Sequence, residues 1–462
     1  MRVATIGFLV LLGACATHQA PAPVVPSHAV IGVEAAQLAP DYWIGKARGS
    51  REPVLTTDEI EQQNRKLGTS DPTVHDLRNL PAQLSRAQVS EWIKRMSERP
   101  TGALFDEQGR PVSAAQLDDI ERNVAIDTVA ATQPTRYGLV VRRANLRTFP
   151  TVLRVFRSSD DADIDRFQES ALFPGTPVVV THVSGDGRWL FVVSPLYAAW
   201  IEREAVAEGP PTEVFGYVDR APYLIVTGAT AKTVFTRERP EVSELQLDMS
   251  TRVPLLSQWP ADRAVNGQHP YTAHVIQLPW RDANGALHFT AALVPKTADV
   301  STQYLTLTAA TLLEQSFKFL GERYGWGHSY NARDCSGFVS DVYRSFGLQM
   351  PRNTRDQGVS PAFRRITFDE KDSYDARLEV LSNLQVGDLI YIPGHVMMVI
   401  GHDRGMPYII HDTTGITYRD TDGEVRRVSL NGVSVTPLTP LLLGNDRPMI
   451  ERIYSIVLMR KR

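Results

Sequence analysis

The sequence predicts an α+β chain of several small units: a helical N-terminal segment, two β-barrels, and a C-terminal domain mixing helices with a small antiparallel sheet. Three observations predict it. The chain has 462 residues, more than one core organises. Residues 137–300 carry short β-rich runs separated by turn residues. From Thr311 onward, apolar residues recur first at helical spacing and then in short strand-like runs. A hydrophobic content of 43% and a charged content of 22% suit globular cores. The formal net charge of −3 is well mixed and leaves no basic stripe, which argues against a nucleic-acid partner.

The N-terminus reads as an export signal. Arg2 supplies a positive start, residues 3–12 form a short apolar run, and Leu12-Gly13-Ala14-Cys15 matches a lipobox. Residues 1–15 are therefore expected to be a lipoprotein signal, with Cys15 lipidated and the membrane reached through that anchor. Each buried CH₂ of an acyl chain contributes about 0.8 kcal/mol, so several chains hold firmly. Pro21, Pro23, Pro26 and Pro40 mark residues 16–40 as a tether.

Residues 41–130 read as helical. Ser85 with Gln88 forms a capping box ahead of Trp92 and Met96. A second helix is expected from Ser113, carrying Leu117, Ile120, Val124 and Ile126. Residues 131–208 hold Leu139-Val140-Val141, Val178-Val179-Val180 and Trp189-Leu190-Phe191-Val192-Val193, with a turn at Gly185-Asp186-Gly187. Residues 209–300 are strand-rich too, with turns at Asn266-Gly267 and Asn284-Gly285.

The chemistry concentrates in residues 301–462. Small and polar residues lead into Cys335, and Phe338, Val339, Val342 and Phe346 then recur at helical spacing before a stop at Gly347. Cys335 is thus expected in the first turn of a helix, where free N–H groups and the dipole favour a thiolate. A nucleophile needs a base, and His395 opens an apolar strand after a Pro-Gly turn. A buried imidazolium there would need a partner such as that thiolate. His411 ends the next strand, and a hairpin turning at Gly405 returns it to His395, whose tautomer it would fix. Tyr324 reads either as a core aromatic or as a hydroxyl supporting the oxyanion.

Asp334-Cys335-Ser336-Gly337-Phe338, Gly387-Asp388-Leu389, His395, His411 and Met350-Pro351-Arg352-Asn353-Thr354 together resemble the NlpC/P60 family of cell-wall cysteine peptidases. That resemblance implies a papain-like fold for the C-terminal domain. His328 departs from it, since relatives usually carry glycine there. Asn145-Leu146-Arg147, Gly175-Thr176-Pro177-Val178, Asp186-Gly187-Arg188-Trp189 and Ala199-Trp200-Ile201 resemble a bacterial SH3 domain, and residues 209–300 are expected to be a second one. The domain order is similar to that of γ-D-glutamyl-L-diamino acid endopeptidases. It implies peptidoglycan stem peptides or muropeptides as substrates, with catalysis by Cys335, His395 and His411. The same resemblance implies that Asp334 binds the free amine of the first residue, with Ser336 and Thr354 lining that subsite. An acidic residue and a tyrosine from the first SH3-like domain would close it, assigned here to Glu169 and Tyr197.

The sequence lacks His-Glu-x-x-His, Cys-x-x-Cys and Gly-x-Ser-x-Gly, so neither a zinc site nor a serine elbow is expected, and no cofactor is needed. The alternatives are an amidase or crosslink-cutting endopeptidase on the same fold, an acyltransferase, and a non-catalytic wall-binding lipoprotein. Ala16 after the lipobox points to the periplasmic face of the outer membrane.

Overall fold

The computed structural model describes residues 31–420, 423–444 and 446–461. Cys15 and most of the proline-rich tether lie outside the described residues. No helix among the described residues is long and apolar enough to cross a membrane.

The helical segment divides its packing between two partners. Helices α1 (Pro40–Lys46) and α2 (Thr57–Ser70) lie against the C-terminal domain. Trp43, 1% exposed, packs on Tyr408 with ring centroids 5.0 Å apart. Asn64 Nδ2 donates to the Gly347 carbonyl at 2.8 Å, and Lys66 Nζ to that of Ala362 at 2.7 Å. Helices α3 (Arg86–Met96) and α4 (Ala114–Val124) instead share a core with Phe149, Phe191 and Trp200 of the first barrel. Both expected capping boxes form, Ser85 with Gln88 and Ser113 with Gln116. The second helix stops at Val124, before Ile126, because Ala125 turns left-handed at φ 49°.

The first barrel is a seven-stranded antiparallel sheet. It runs Gln168–Leu172, Ala144–Arg147, Ala198–Glu202, Trp189–Val193, Pro177–Val183, Arg136–Val140, Val206–Gly209. Helix α5 (Pro211–Asp219) leads into the second β-module. There Tyr223–Val226 pairs with Arg252–Pro254 and Val300–Ser301, beside the hairpin Ala273–Arg281 and Leu287–Pro295. Its turn at Asn284-Gly285 uses Gly285 at φ 93°.

The C-terminal domain sets helices α6 (Ala309–Phe317), α7 (Cys335–Arg344), α8 (Thr354–Val359) and α9 (Tyr374–Ser382) around an eight-stranded antiparallel sheet. The central strands are Leu389–Ile392, His395–Asp403 and Met406–Arg419. Phe338, Val339 and Val342 of α7 are fully buried in one cluster with Met398, Ile400 and Ile410 of the sheet. Burying such a side chain contributes about 1.5–3 kcal/mol, so this face fixes where the start of α7 sits. This is the α+β layering the sequence predicts.

Candidate active site

The segment before α7 is held in costly backbone. Gly327, His328, Tyr330 and Asn331 all have φ between 56° and 64°. Three of these four are not glycine, and such residues persist only where surroundings enforce them. The enforcing contacts come from the first barrel. Gln168 Nε2 donates to the Gly327 carbonyl at 2.7 Å, and Trp326 Nε1 donates to the Gln168 carbonyl at 3.0 Å. A Cβ on Gly327 would stand 3.0 Å from that same Gln168 oxygen, so the position needs glycine for closeness as well as for φ.

Asp334 then caps α7, its Oδ1 accepting from Gly337 N–H at 2.8 Å. Cys335 follows in the first turn, 5% exposed. Its sulfur lies 3.6 Å from Thr354 Oγ1, and the backbone N–H of Val396 also reaches it. The nucleophile's helix start thus abuts the start of the strand that His395 opens. His395 Nε2 bonds His411 Nδ1 at 2.8 Å, and His411 Nε2 lies 3.2 Å from Thr436 Oγ1. The turn that returns the strand uses Arg404 at φ 49° and Gly405 at φ 80°. With Nε2 engaged by His411, Nδ1 is the nitrogen His395 has left for chemistry.

Residues 321–433 match the NlpC/P60 family model, and residues 154–202 match the model of an SH3 domain of the SH3b1 type. The C-terminal domain is an NlpC/P60 domain. A γ-D-glutamyl-L-lysine dipeptidyl-peptidase of Bacillus cereus is 25% identical over 245 residues, covering 50% of this chain. The match spans 60% of that relative's length. The solved structure of an NlpC/P60 endopeptidase from Photobacterium damselae subsp. piscicida superimposes with a TM-score of 0.71. It covers 91% of this chain and 96% of that one at 16% identity, a likeness of fold.

Around the NlpC/P60 domain's Cys335 the other expected residues take distinct places. Glu169 and Tyr197 meet: Tyr197 O–H donates to Glu169 Oε2 and Thr148 O–H to Oε1, both at 2.6 Å. Glu169 lines a cleft with Trp326 and makes no ion pair among the described residues. Burial, then the Glu169 charge, pushes the Tyr197 hydroxyl up, so it stays a donor.

Asp334 is differently placed. Arg352 Nη2 donates to its Oδ2 at 2.8 Å and Arg352 Nη1 to Oδ1 at 3.2 Å, while Gly327 N–H and Ser336 O–H also donate to it. An amine arriving there meets a carboxylate already neutralised by a guanidinium. Ser336, 3% exposed, lies beneath the surface in that same network. Tyr324 is 8% exposed, and burial above all keeps its hydroxyl protonated. Arg352 gave no separate signal in the sequence beyond its place in Met350-Pro351-Arg352-Asn353-Thr354. Asp412, beside His411, was also missed. It is fully buried with neither carboxyl oxygen partnered, and burial pushes it up so that it holds its proton.

The expected lowering of the thiol does not occur. Burial, then the Asp334 charge, pushes Cys335 up to about 12, against the pull of Thr354 and Val396 N–H. Burial lowers His395 to about 4, and His411 is lowered by burial and by His395. Burial is the largest influence on both groups, so the resting pair is neutral thiol and neutral imidazole. Iodoacetamide alkylation of Cys335 in the substrate-free protein is therefore expected to climb by about tenfold per pH unit from about pH 6 to about pH 10. A plateau reached below about pH 7 would mean that a thiolate–imidazolium pair already exists.

Proposed function

We propose that this protein is a cysteine peptidase that hydrolyses the γ-D-glutamyl–diamino acid bond of peptidoglycan stem peptides bearing a free N-terminal L-alanine. The observation that carries the reading is the helix-start thiol reached by the Val396 N–H at the start of the strand that His395 opens, with His395 Nε2 held by a second histidine at 2.8 Å. The matches to the NlpC/P60 and SH3 models and the curated relative's name support it.

In this reading His395 Nδ1 takes the thiol proton as sulfur attacks the scissile carbonyl carbon, so charge is created only when substrate has displaced water. The backbone N–H of Cys335 at the α7 start and the Tyr324 hydroxyl stabilise the oxyanion. His395 then protonates the leaving amine of the diamino acid. Water, deprotonated by His395, cleaves the thioester and restores the thiol. His411 holds the imidazole's orientation throughout. Mass spectrometry of digested muropeptides tests the bond: release of free L-alanyl-D-glutamate is expected. Products carrying an intact stem with a severed crosslink, or a stem freed from its sugar, would instead favour the rival endopeptidase or amidase.

Glu169 is the residue assigned to the substrate's ammonium, because its carboxylate is held by two hydroxyls beside Trp326 and makes no ion pair among the described residues, whereas Asp334 is paired with Arg352. Glu169→Gln keeps the shape and one donated hydroxyl bond, and the other hydroxyl turns to accept from the amide, but the charge is lost. It is expected to lower kcat/KM on the free tripeptide by about 10–100-fold, mostly through KM. The N-acetylated tripeptide should be nearly unaffected. Equal losses on both substrates would refute an amine-binding role. We also propose an outer-membrane lipoprotein, on the lipobox and the Ala16 that follows it; palmitate labelling that persists in Cys15→Ala would reject it.

A further inference from the structure

A cavity of about 510 Å³ opens where the first barrel, α5, the second β-module and α7 meet. Tyr197 and Arg352 line one edge of it, whereas Cys335, His395, His411 and Glu169 do not. Its floor is the α7 face carrying Gly337, Ser340, Asp341 and Arg344, the face turned from the buried Phe338–Val342 stripe. Phe173 and Tyr217 give it apolar, aromatic walls. A volume of this size at a domain junction, mostly apolar with a few polar groups, has the form of a small-molecule site.

The charges around it decide what it would take. Arg352 is matched by Asp334 at 2.8 Å, Arg344 by Asp341, and Asp219 by Arg78 at 2.6 Å. Arg252 is not matched. It is half-buried, donates only to the Val218 and Arg220 carbonyls, lies 4.1 Å from the Tyr223 ring centroid, and has no carboxylate in ion-pair reach among the described residues. A guanidinium that lines an apolar cavity without a counter-charge offers an incoming anion a charge-assisted hydrogen bond there. A second observation lies on the same wall. His328 is 4% exposed, its ring stacks on Phe173 at 5.7 Å, and neither ring nitrogen has a partner. Buried polar atoms left unpaired are few in folded proteins and mark places where a ligand or water belongs.

We infer that this cavity binds a small organic acid, its carboxylate on Arg252 and its apolar body against Phe173 and Tyr217. The probe is 4-phenylbutyrate, with the neutral amide 4-phenylbutanamide as control, titrated calorimetrically into the full chain. The acid is expected to bind at least about tenfold tighter than the amide, and Arg252→Gln to remove that advantage. Arg252→Lys, which keeps the charge, should bind the acid within about threefold of the wild type. That variant also guards against a mere loss of the α5 carbonyl contacts. Cys335→Ala should bind the acid like the wild type, since Cys335 does not line the cavity. Equal binding of acid and amide, undiminished binding by Arg252→Gln, or no heat of binding up to about 10 mM probe would each overturn the assignment.

Discussion

Turnover of the free tripeptide L-alanyl-γ-D-glutamyl-diaminopimelate is expected to fall by at least about 10⁴-fold when Cys335 is replaced with alanine. The size follows from the role. Without sulfur no thioester forms, and the remaining groups only bind and polarise the peptide. Folding should survive, because the change removes one small atom from the edge of a core anchored by Phe338, Val339 and Val342. Cys335→Ser sharpens the test. Its hydroxyl fits the same space but is a far weaker nucleophile with a neutral imidazole, so its activity should lie nearer the alanine variant than the wild type. Thermal melts of both variants should stay close to that of the parent. Turnover by folded Cys335→Ala within about tenfold of the wild type would sink the cysteine mechanism, and a wall-binding scaffold would then explain the protein better.

What could be read from the sequence is what depends on neighbours in the chain. The α7 stripe and the Ser85 and Ser113 caps are set by spacings of a few residues, and the hairpin that brings His411 to His395 by a single turn between two consecutive strands. The resting charge of the thiol is not of that kind. Helix position is local and argued for a low pKa, whereas burial is a property of the assembled domain and it prevails. The pairing of Asp334 with Arg352 spans 18 residues of chain. It turns an expected amine ligand into half of a neutral pair, and leaves the amine to Glu169, contributed by another domain and without an ion pair among the described residues. The division of the N-terminal helices between two partners was hidden for the same reason. Amphipathic spacing says that a helix buries a face, not against what. The left-handed backbone at Gly327, His328, Tyr330 and Asn331 carried one visible sign, the His328 departure, whose meaning needed the barrel pressed against it.

Replacing Arg333 with methionine is expected to destabilise the protein by about 3–5 kcal/mol, the largest stability effect of any single side chain discussed here. Arg333 precedes Asp334 in chain and is fully buried. Its Nε donates to Asp341 at 2.9 Å, Nη1 to Glu322 at 3.0 Å, and Nη2 to Asp248 at 3.1 Å and to the Ala229 carbonyl at 2.7 Å. Asp248 and Ala229 belong to the second β-module, and Arg143 of the first barrel pairs with the same Asp248. One guanidinium therefore ties the catalytic loop to the module before it. Burial works against its charge, but Asp341, Asp248 and Glu322 outweigh that and raise its pKa. Methionine fills similar space and stacks on Phe319, which now lies 4.6 Å from the guanidinium. What it cannot do is neutralise three carboxylates, one of which, Asp248, already has an unpartnered oxygen. The apparent thermal midpoint of the domain should drop by roughly 6–20 °C. Adding Glu322→Gln to Arg333→Met should restore part of that loss, because Glu322, unlike Asp248 and Asp341, has no other ion-pair partner among the described residues. Such recovery separates an electrostatic role from simple packing, which the second change would only worsen. A midpoint shift under about 2 °C for Arg333→Met would show that the network contributes little to holding the loop that presents Cys335.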